Sequence, residues 1–339
     1  RRDAFMQQEQ IQWEANVWYL ERLHLGKHRI DESKSLISIS FMEVKEIQNR
    51  EILQAYMKYE LGITGQAVST IVRRFVCIRN FIELLEQEKI LAIHATVAEV
   101  KKYADGLRER GIQAKGFNER IFGIGHFYKF MEVKQYITRM PFRIEYFQQK
   151  EVIVHHDRSV EETVYMEILK KLYLFPERLR CMFLHLWCLG LRASEVCTLK
   201  GNAYYQQGED YWIQVYQVKM KNYKRIPIPQ ALYQIMKVYL KKHEIQPEEF
   251  IFKNSRGGAC LYGTFRTQMI EACRENKIAN GEYLLQSHDY RHTVATMFYD
   301  SHVSLQSIRD YLGHTYEEMT RQYIDYMPQR IAKANDEFF

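Results

Sequence analysis

From Ala67 to Gln87 the apolar residues Val68, Ile71, Val72, Phe75, Ile78, Ile82 and Leu85 recur three and four apart, with no proline or glycine among them. A stretch of this length with one apolar face is stable only as a helix packed against other helices. The rest of the chain allows the same reading. Six prolines and 16 glycines in 339 residues are too few for a turn-rich sandwich, barrel or propeller. At about 150 residues per domain the length implies roughly two domains. An apolar share of 46% and a charged share of 27% rule out a largely disordered chain. The longest apolar run, Cys181 to Leu191, is interrupted by His185 and bounded by Arg180 and Arg192. It falls well short of the roughly 20 residues that span a bilayer.

The pattern divides the chain into segments. Residues 1–45 hold an amphipathic stretch from Ile11 to Leu25 and then a strand-like run, Ser35 to Phe41. They are read as an N-terminal extension, an arm or clamp segment. Residues 46–150 contain four or five helical stretches, one opened by the capping box Thr96–Glu99 and stopped at Gly111. Residues 151–158 have no helical period and are read as a linker. Residues 159–326 show helices broken by two short strands, Trp212–Lys219 and Tyr223–Ile228, which read as a hairpin. Residues 327–339 form a tail expected to dock on a neighbouring protomer.

The 48 basic and 42 acidic side chains leave a net charge of +6. Between Gln66 and Lys150 there are 15 Lys and Arg against 9 Asp and Glu, so this segment carries the whole excess. A polyanion-gripping module and a solvated helix surface both fit such a distribution. On the first reading Arg73, Arg74, Arg79, Lys101, Lys102, Lys115 and Arg120 are the candidate DNA contacts. The six cysteines form no CxxC pair and no zinc spacing. With no secretory pattern at the start, they are expected to be small apolar core residues in a reducing, bacterial cytoplasm, near the nucleoid.

Four separated fragments each place a cation or imidazole at a structural break. Gly190-Leu191-Arg192-Ala193-Ser194-Glu195 sets a guanidinium just past an apolar helix, where it meets a phosphate or a carboxylate such as Glu195. His288-Asp289-Tyr290-Arg291-His292 sets His288 and Arg291 three apart on one helical face. His288 and His292 have the spacing of a zinc pair, but Asp289 stands where the glutamate base of that motif belongs, so no metal is expected. Leu312-Gly313-His314 ends a helix, and Tyr323 follows nine residues later. Lys219 ends the first hairpin strand, in a turn region that also holds Lys221 and Lys224; such lysines are ordinarily exposed.

Taken together, Arg in G-L-R-x-S-E, a hairpin Lys, H-x-x-R-H, L-G-H and a Tyr nine further on resemble the tyrosine recombinase (phage integrase) family, and among its members the integrases and transposases of mobile elements. The resemblance covers about residues 159–326. It implies a mainly α fold with a small antiparallel β-hairpin or sheet: a helical core-DNA-binding domain followed by a mixed α/β catalytic domain. Carried over residue by residue, it implies that Arg192 and Arg291 hold the scissile phosphate, with Glu195 as a supporting acid that orients Arg192. His288 becomes the first choice of base and His314 a phosphate ligand. Lys219, with Lys221 as the alternative, protonates the leaving oxygen, and Tyr323 is the nucleophile. The hairpin lacks the glycines common around that lysine in relatives, and Tyr290 stands where a leucine is usual, a packing position.

The implied activity is site-specific cleavage and rejoining of DNA through a 3′-phosphotyrosine, without cofactor or metal, for integration or excision of a mobile element. The implied partners are double-stranded DNA, three further protomers in a tetramer on paired sites, and accessory DNA-bending or directionality proteins, with no membrane. Two alternatives remain at this point: a type IB topoisomerase, which shares the phosphotyrosine, and a catalytically silent DNA-binding regulator.

Overall fold

The computed structural model describes residues 2–152, 158–218, 220–314 and 320. The chain divides into two compact units, Arg1–Asp31 with Leu36–Ile153, and Glu32–Ser35 with Val154–Phe339. No helix among the described residues is long and apolar enough to cross a membrane.

The first unit contains α1 (Arg2–Met6), β1 (Val17–Tyr19), β2 (Ser38–Ser40), α2 (Ile47–Ile63), α3 (Val68–Gln87), α4 (Val97–Glu109) and α5 (Ala114–Val133). The face of α3 marked out by its periodicity is its buried face, with Ile71, Phe75, Ile78, Ile82 and Leu85 all in the core. The capping box that opens α4 forms as its sequence requires: Ala98 N donates to the Thr96 hydroxyl and Thr96 N donates to Glu99. The amphipathic run Ile11–Leu25 folds differently from its helical patterning. Val17-Trp18-Tyr19 pairs antiparallel with Ser38–Ser40, Trp18 opposite Ile39. Trp18 is fully enclosed between the rings of Trp13 and Phe41. A β-branched and two aromatic residues in succession suit an extended, half-buried ribbon, and tertiary burial of one indole outweighs the local helical pattern.

The second unit contains α6 (Glu162–Lys171), α7 (Glu177–Leu189), α8 (Ala193–Cys197), β3 (Tyr204–Gln207), β4 (Asp210–Gln217), β5 (Asn222–Pro227), α9 (Gln230–Lys242), α10 (Tyr262–Glu275), α11 (Ser287–Asp300) and α12 (Leu305–Leu312). The short segment Glu32–Ser35 also belongs to it, and Tyr262 N donates to the Ser33 carbonyl at 2.9 Å. The hairpin expected from the sequence is part of a three-stranded antiparallel sheet in the order β3-β4-β5. The strand β3 escapes sequence reading because Tyr-Tyr-Gln-Gln shows no alternation; pairing of Tyr204 with Ile213 creates it. Helix α11 packs on α7 and carries α12 behind it.

Gly190 makes that packing close. It caps α7 at φ +59°, and a Cβ there would lie 3.1 Å from Val294 Cβ on α11. Gly190→Ala combines left-handed strain of about 1–2 kcal/mol with a contact that the packed helix must relieve. The expected result is a Tm lowered by several degrees in a thermal melt. An unchanged Tm would mean that α11 is free to retreat.

Candidate active site

The three fragments of the sequence that lie within the described residues meet around one carboxylate. Arg192 is the residue that opens α8, and Glu195 sits one turn later, 2% exposed in its side chain. Glu195 Oε2 accepts from Arg192 N at 2.9 Å, and Oε1 accepts from Arg192 Nη1 at 3.0 Å. The acid therefore holds both the backbone and the guanidinium of Arg192. Oε1 also accepts from Gln217 Nε2 at 3.0 Å, and Lys224 Nζ lies 3.4 Å from Oε2.

Arg291 approaches from α11 and is 0% exposed. Its Nη1 donates to Gly190 O at 2.9 Å and its Nη2 to Leu312 O. One guanidinium thus ties the end of α7, two residues before Arg192, to the end of α12, two residues before His314. The ring of His314 is buried, and its Nδ1 shares a hydrogen bond of 2.9 Å with the hydroxyl of Thr320. The turn that delivers it needs Gly313 at φ +67°, and a Cβ there would sit 2.5 Å from Gln217 Nε2. His288, one turn before Arg291 on α11, is exposed. Tyr290 between them packs as its place implies, fully buried and edge-on to Phe183, with its hydroxyl on that of Tyr283.

Electrostatics separates the two imidazoles. Burial, then repulsion from Arg291, Arg192 and Lys224, pushes His314 down to about 3. It is a neutral hydrogen-bonding group over the whole working range. Partial desolvation, then the same two arginines and Arg158, move His288 below its ordinary value, which keeps it neutral and able to accept a proton. Burial alone would raise Glu195, but Lys224, Arg291 and Arg192 overcome it and hold the carboxyl at about 2. Lys224 is lowered by burial to about 8, with Glu195 opposing the fall. At pH 7 three cations and one carboxylate share the pocket. The cluster carries a net positive charge, which can neutralise an anion placed against it.

Lys219 and Tyr323 lie outside the described residues, as does the tail 327–339. Lys221 has left-handed backbone in the hairpin turn. Two residues of the pocket were not singled out from the sequence, Lys224 and Gln217. The signal was the two-residue period of the strands: Lys224 alternates in phase with buried Ile226, and Gln217 with buried Ile213 and Val215. Lys224 is not an exposed turn lysine. It stands inside β5 opposite Val215, its side chain 7% exposed.

Of the seven candidate DNA contacts in the first unit, five have an acid beside them. Lys101 pairs with Asp105 at 2.6 Å, Lys102 with Glu88, Arg73 with Glu119 at 3.6 Å, and Arg79 with Glu83 at 3.3 Å and Glu43 at 3.6 Å. Arg120 donates to Gly116 O within its own helix, and Lys115 is exposed. Arg74, expected on an outward basic face, is instead turned inward. It bonds buried Glu60 at 3.0 Å and Gln66 at 3.1 Å, because a carboxylate enclosed by the fold needs a cation there.

Residues 158–330, just over half of the chain, match the phage integrase family. The chain belongs to that family. Over 337 residues it is 24% identical to transposase B from transposon Tn554 of Staphylococcus aureus, covering 96% of this chain and 53% of that protein. It is 23% identical over 305 residues to the tyrosine recombinase XerC of Bacillus licheniformis, covering 85% and 92%. The chain thus spans about half the length of the curated transposases it matches. Among solved structures, the Tn1549 transposon integrase in complex with a circular intermediate DNA superposes with a TM-score of 0.60 at 15% identity, covering 83% of this chain and 99% of that one. The mainly α fold with small antiparallel sheets is therefore that of the integrase family, as its motifs implied.

Proposed function

We propose that this integrase-family chain cleaves and rejoins DNA strands through a 3′-phosphotyrosine, as the site-specific recombinase of a mobile element. The observation that carries the reading is the meeting of Arg192, Arg291, His288 and His314, from three distant fragments, in one cationic pocket around Glu195. A DNA phosphodiester repels nucleophiles through its own charge, and fixed cations lower that barrier most where charge builds in the transition state.

The Tyr323 oxygen forms a bond to phosphorus as the bond from phosphorus to the 5′-oxygen breaks. The phenolic proton goes to His288, and the departing 5′-oxygen takes a proton from Lys219. Arg192, with its side chain 17% exposed, faces the phosphate directly. Arg291 adds its charge from beneath and braces the loops that carry Arg192 and His314. Reversal by a second 5′-hydroxyl rejoins the strand without ATP, because the phosphotyrosine retains the energy of the broken bond. Pairing of two duplexes requires four protomers on paired sites, with the tail 327–339 docking on a neighbour. Arg73, Arg79, Lys101, Lys102, Lys115 and Arg120 supply phosphate contacts, and affinity falls steeply with salt.

The test is a suicide duplex, nicked near the cleavage position and taken from the ends of the element that encodes the chain. Covalent capture, and a four-way junction on two cognate sites, is the expected result. Relaxation of any supercoiled plasmid without junctions would favour topoisomerase action, and binding without capture would favour a silent regulator.

Proton uptake by His288 sets a pH dependence. A depressed imidazole stays neutral as pH falls past its ordinary 6.5, so kcat/KM for cleavage, which reports the free enzyme, should hold at pH 6.5 and fall only below it. His288→Gln should lower the rate about 10²-fold or more and flatten that acid limb. An acid limb that survives the substitution would assign the base elsewhere.

A further inference from the structure

We propose that Lys224 is a positioning residue for strand cleavage, acting through Glu195 to keep the Arg192 guanidinium directed at the scissile phosphate. The inference rests on the phosphoryl-transfer reading above and concerns a lysine distinct from the hairpin-turn lysine. Lys224 sits in the body of β5, between the outward-facing Tyr223 and Arg225, with its side chain directed to the covered face beside Val215 and Ile226. An ammonium in that place desolvates at a cost that only a defined counter-charge offsets. Its ion-pair partner is Glu195 Oε2 at 3.4 Å, and Nζ makes no hydrogen bond among the described residues. The distance and burial describe a charge held against a charge, with no covering of solvent to screen it.

The consequence falls on Arg192. Glu195 accepts from Arg192 through both oxygens, once from the backbone and once from Nη1. With Lys224 and Gln217 also on the carboxylate, only one side-chain bond joins it to the guanidinium. Without Lys224, the same carboxylate would have only the arginines as counter-charge, with the neutral Gln217 amide still donating, and would draw the Arg192 fork toward a bidentate pair, away from the phosphate.

The prediction is read on the 339-residue chain under single-turnover conditions with the suicide duplex. Lys224→Met should slow covalent capture about 10- to 100-fold, the range for groups that orient a reacting side chain, with DNA affinity unchanged at fixed salt. Lys224→Gln, which keeps a polar donor but not the charge, should show the same deficit and covers the case in which the Met variant folds poorly. In a Glu195→Gln background Lys224→Met should add little further loss, since the path through Glu195 is already cut. The deficit should persist on a substrate carrying sulfur at the 5′-bridging position, whose thiolate leaves without a proton. Wild-type rates in both variants, losses that simply multiply with Glu195→Gln, or disappearance of the deficit on the sulfur substrate would each overturn the proposal, the last by making Lys224 a proton donor. Covalent capture by Tyr323→Phe would instead strike at the nucleophile assignment and leave the role of Lys224 open to the same measurements with the correct tyrosine.

Discussion

Tyr323→Phe is expected to abolish covalent capture of the suicide duplex, a loss on the order of 10⁴-fold or more, as for deletion of any single nucleophile. DNA binding should survive, because removal of one hydroxyl takes away no phosphate-binding cation. A phenol with an ordinary pKa near 10 is mostly protonated at neutral pH, so it reacts only where cations favour its phenolate and a base takes the proton. The described part of the pocket supplies both, three cations and a neutral His288. The candidacy of Tyr323 itself rests on its place nine residues after His314, within the span matched to the family. Tyr326→Phe is the control. If capture followed Tyr326 and ignored Tyr323, the nucleophile would move by three residues and the reaction class would stand.

The second large effect separates the two arginines. Arg291→Ala should cost about 3–5 kcal/mol of stability, the range for breaking a buried charged network, and should abolish cleavage as well. The side chain is 0% exposed and ties Gly190 O to Leu312 O, so its removal leaves two inward carbonyls without their donor and Glu195 with one cation fewer. Arg192→Ala should lower cleavage about 10³-fold with a much smaller change in stability, because this guanidinium lies at the rim of the pocket and Glu195 keeps Lys224 and Gln217. Chemical denaturation and single-turnover capture on the two variants check the contrast. Equal stability of the two would deny Arg291 its bracing role.

The helices were legible in the sequence to within a few residues where apolar periodicity and end signals agree. Gln230–Lys242 is the observed span of α9, and the capping box at Thr96 opens α4. Helical hydrogen bonds are local, so local sequence suffices. Strands depend on partners far along the chain. The run around Trp18 carried a helical pattern and formed a ribbon because Ile39 and Phe41 were there to cover it, and β3 formed because β4 was there to pair with.

For the site, the order and spacing of Arg192, His288, Arg291 and His314 along the sequence carried the resemblance to the integrase family, which the match over residues 158–330 bears out. What only the tertiary structure decided is how those charges answer one another. It turned Arg74 inward to Glu60, placed Arg291 entirely beneath the surface, and seated Lys224 on the covered face of the sheet beside Glu195. The physical reason is that a charge is cheap in water and demanding when enclosed, and enclosure is a property of the packed chain, which no short stretch of residues contains.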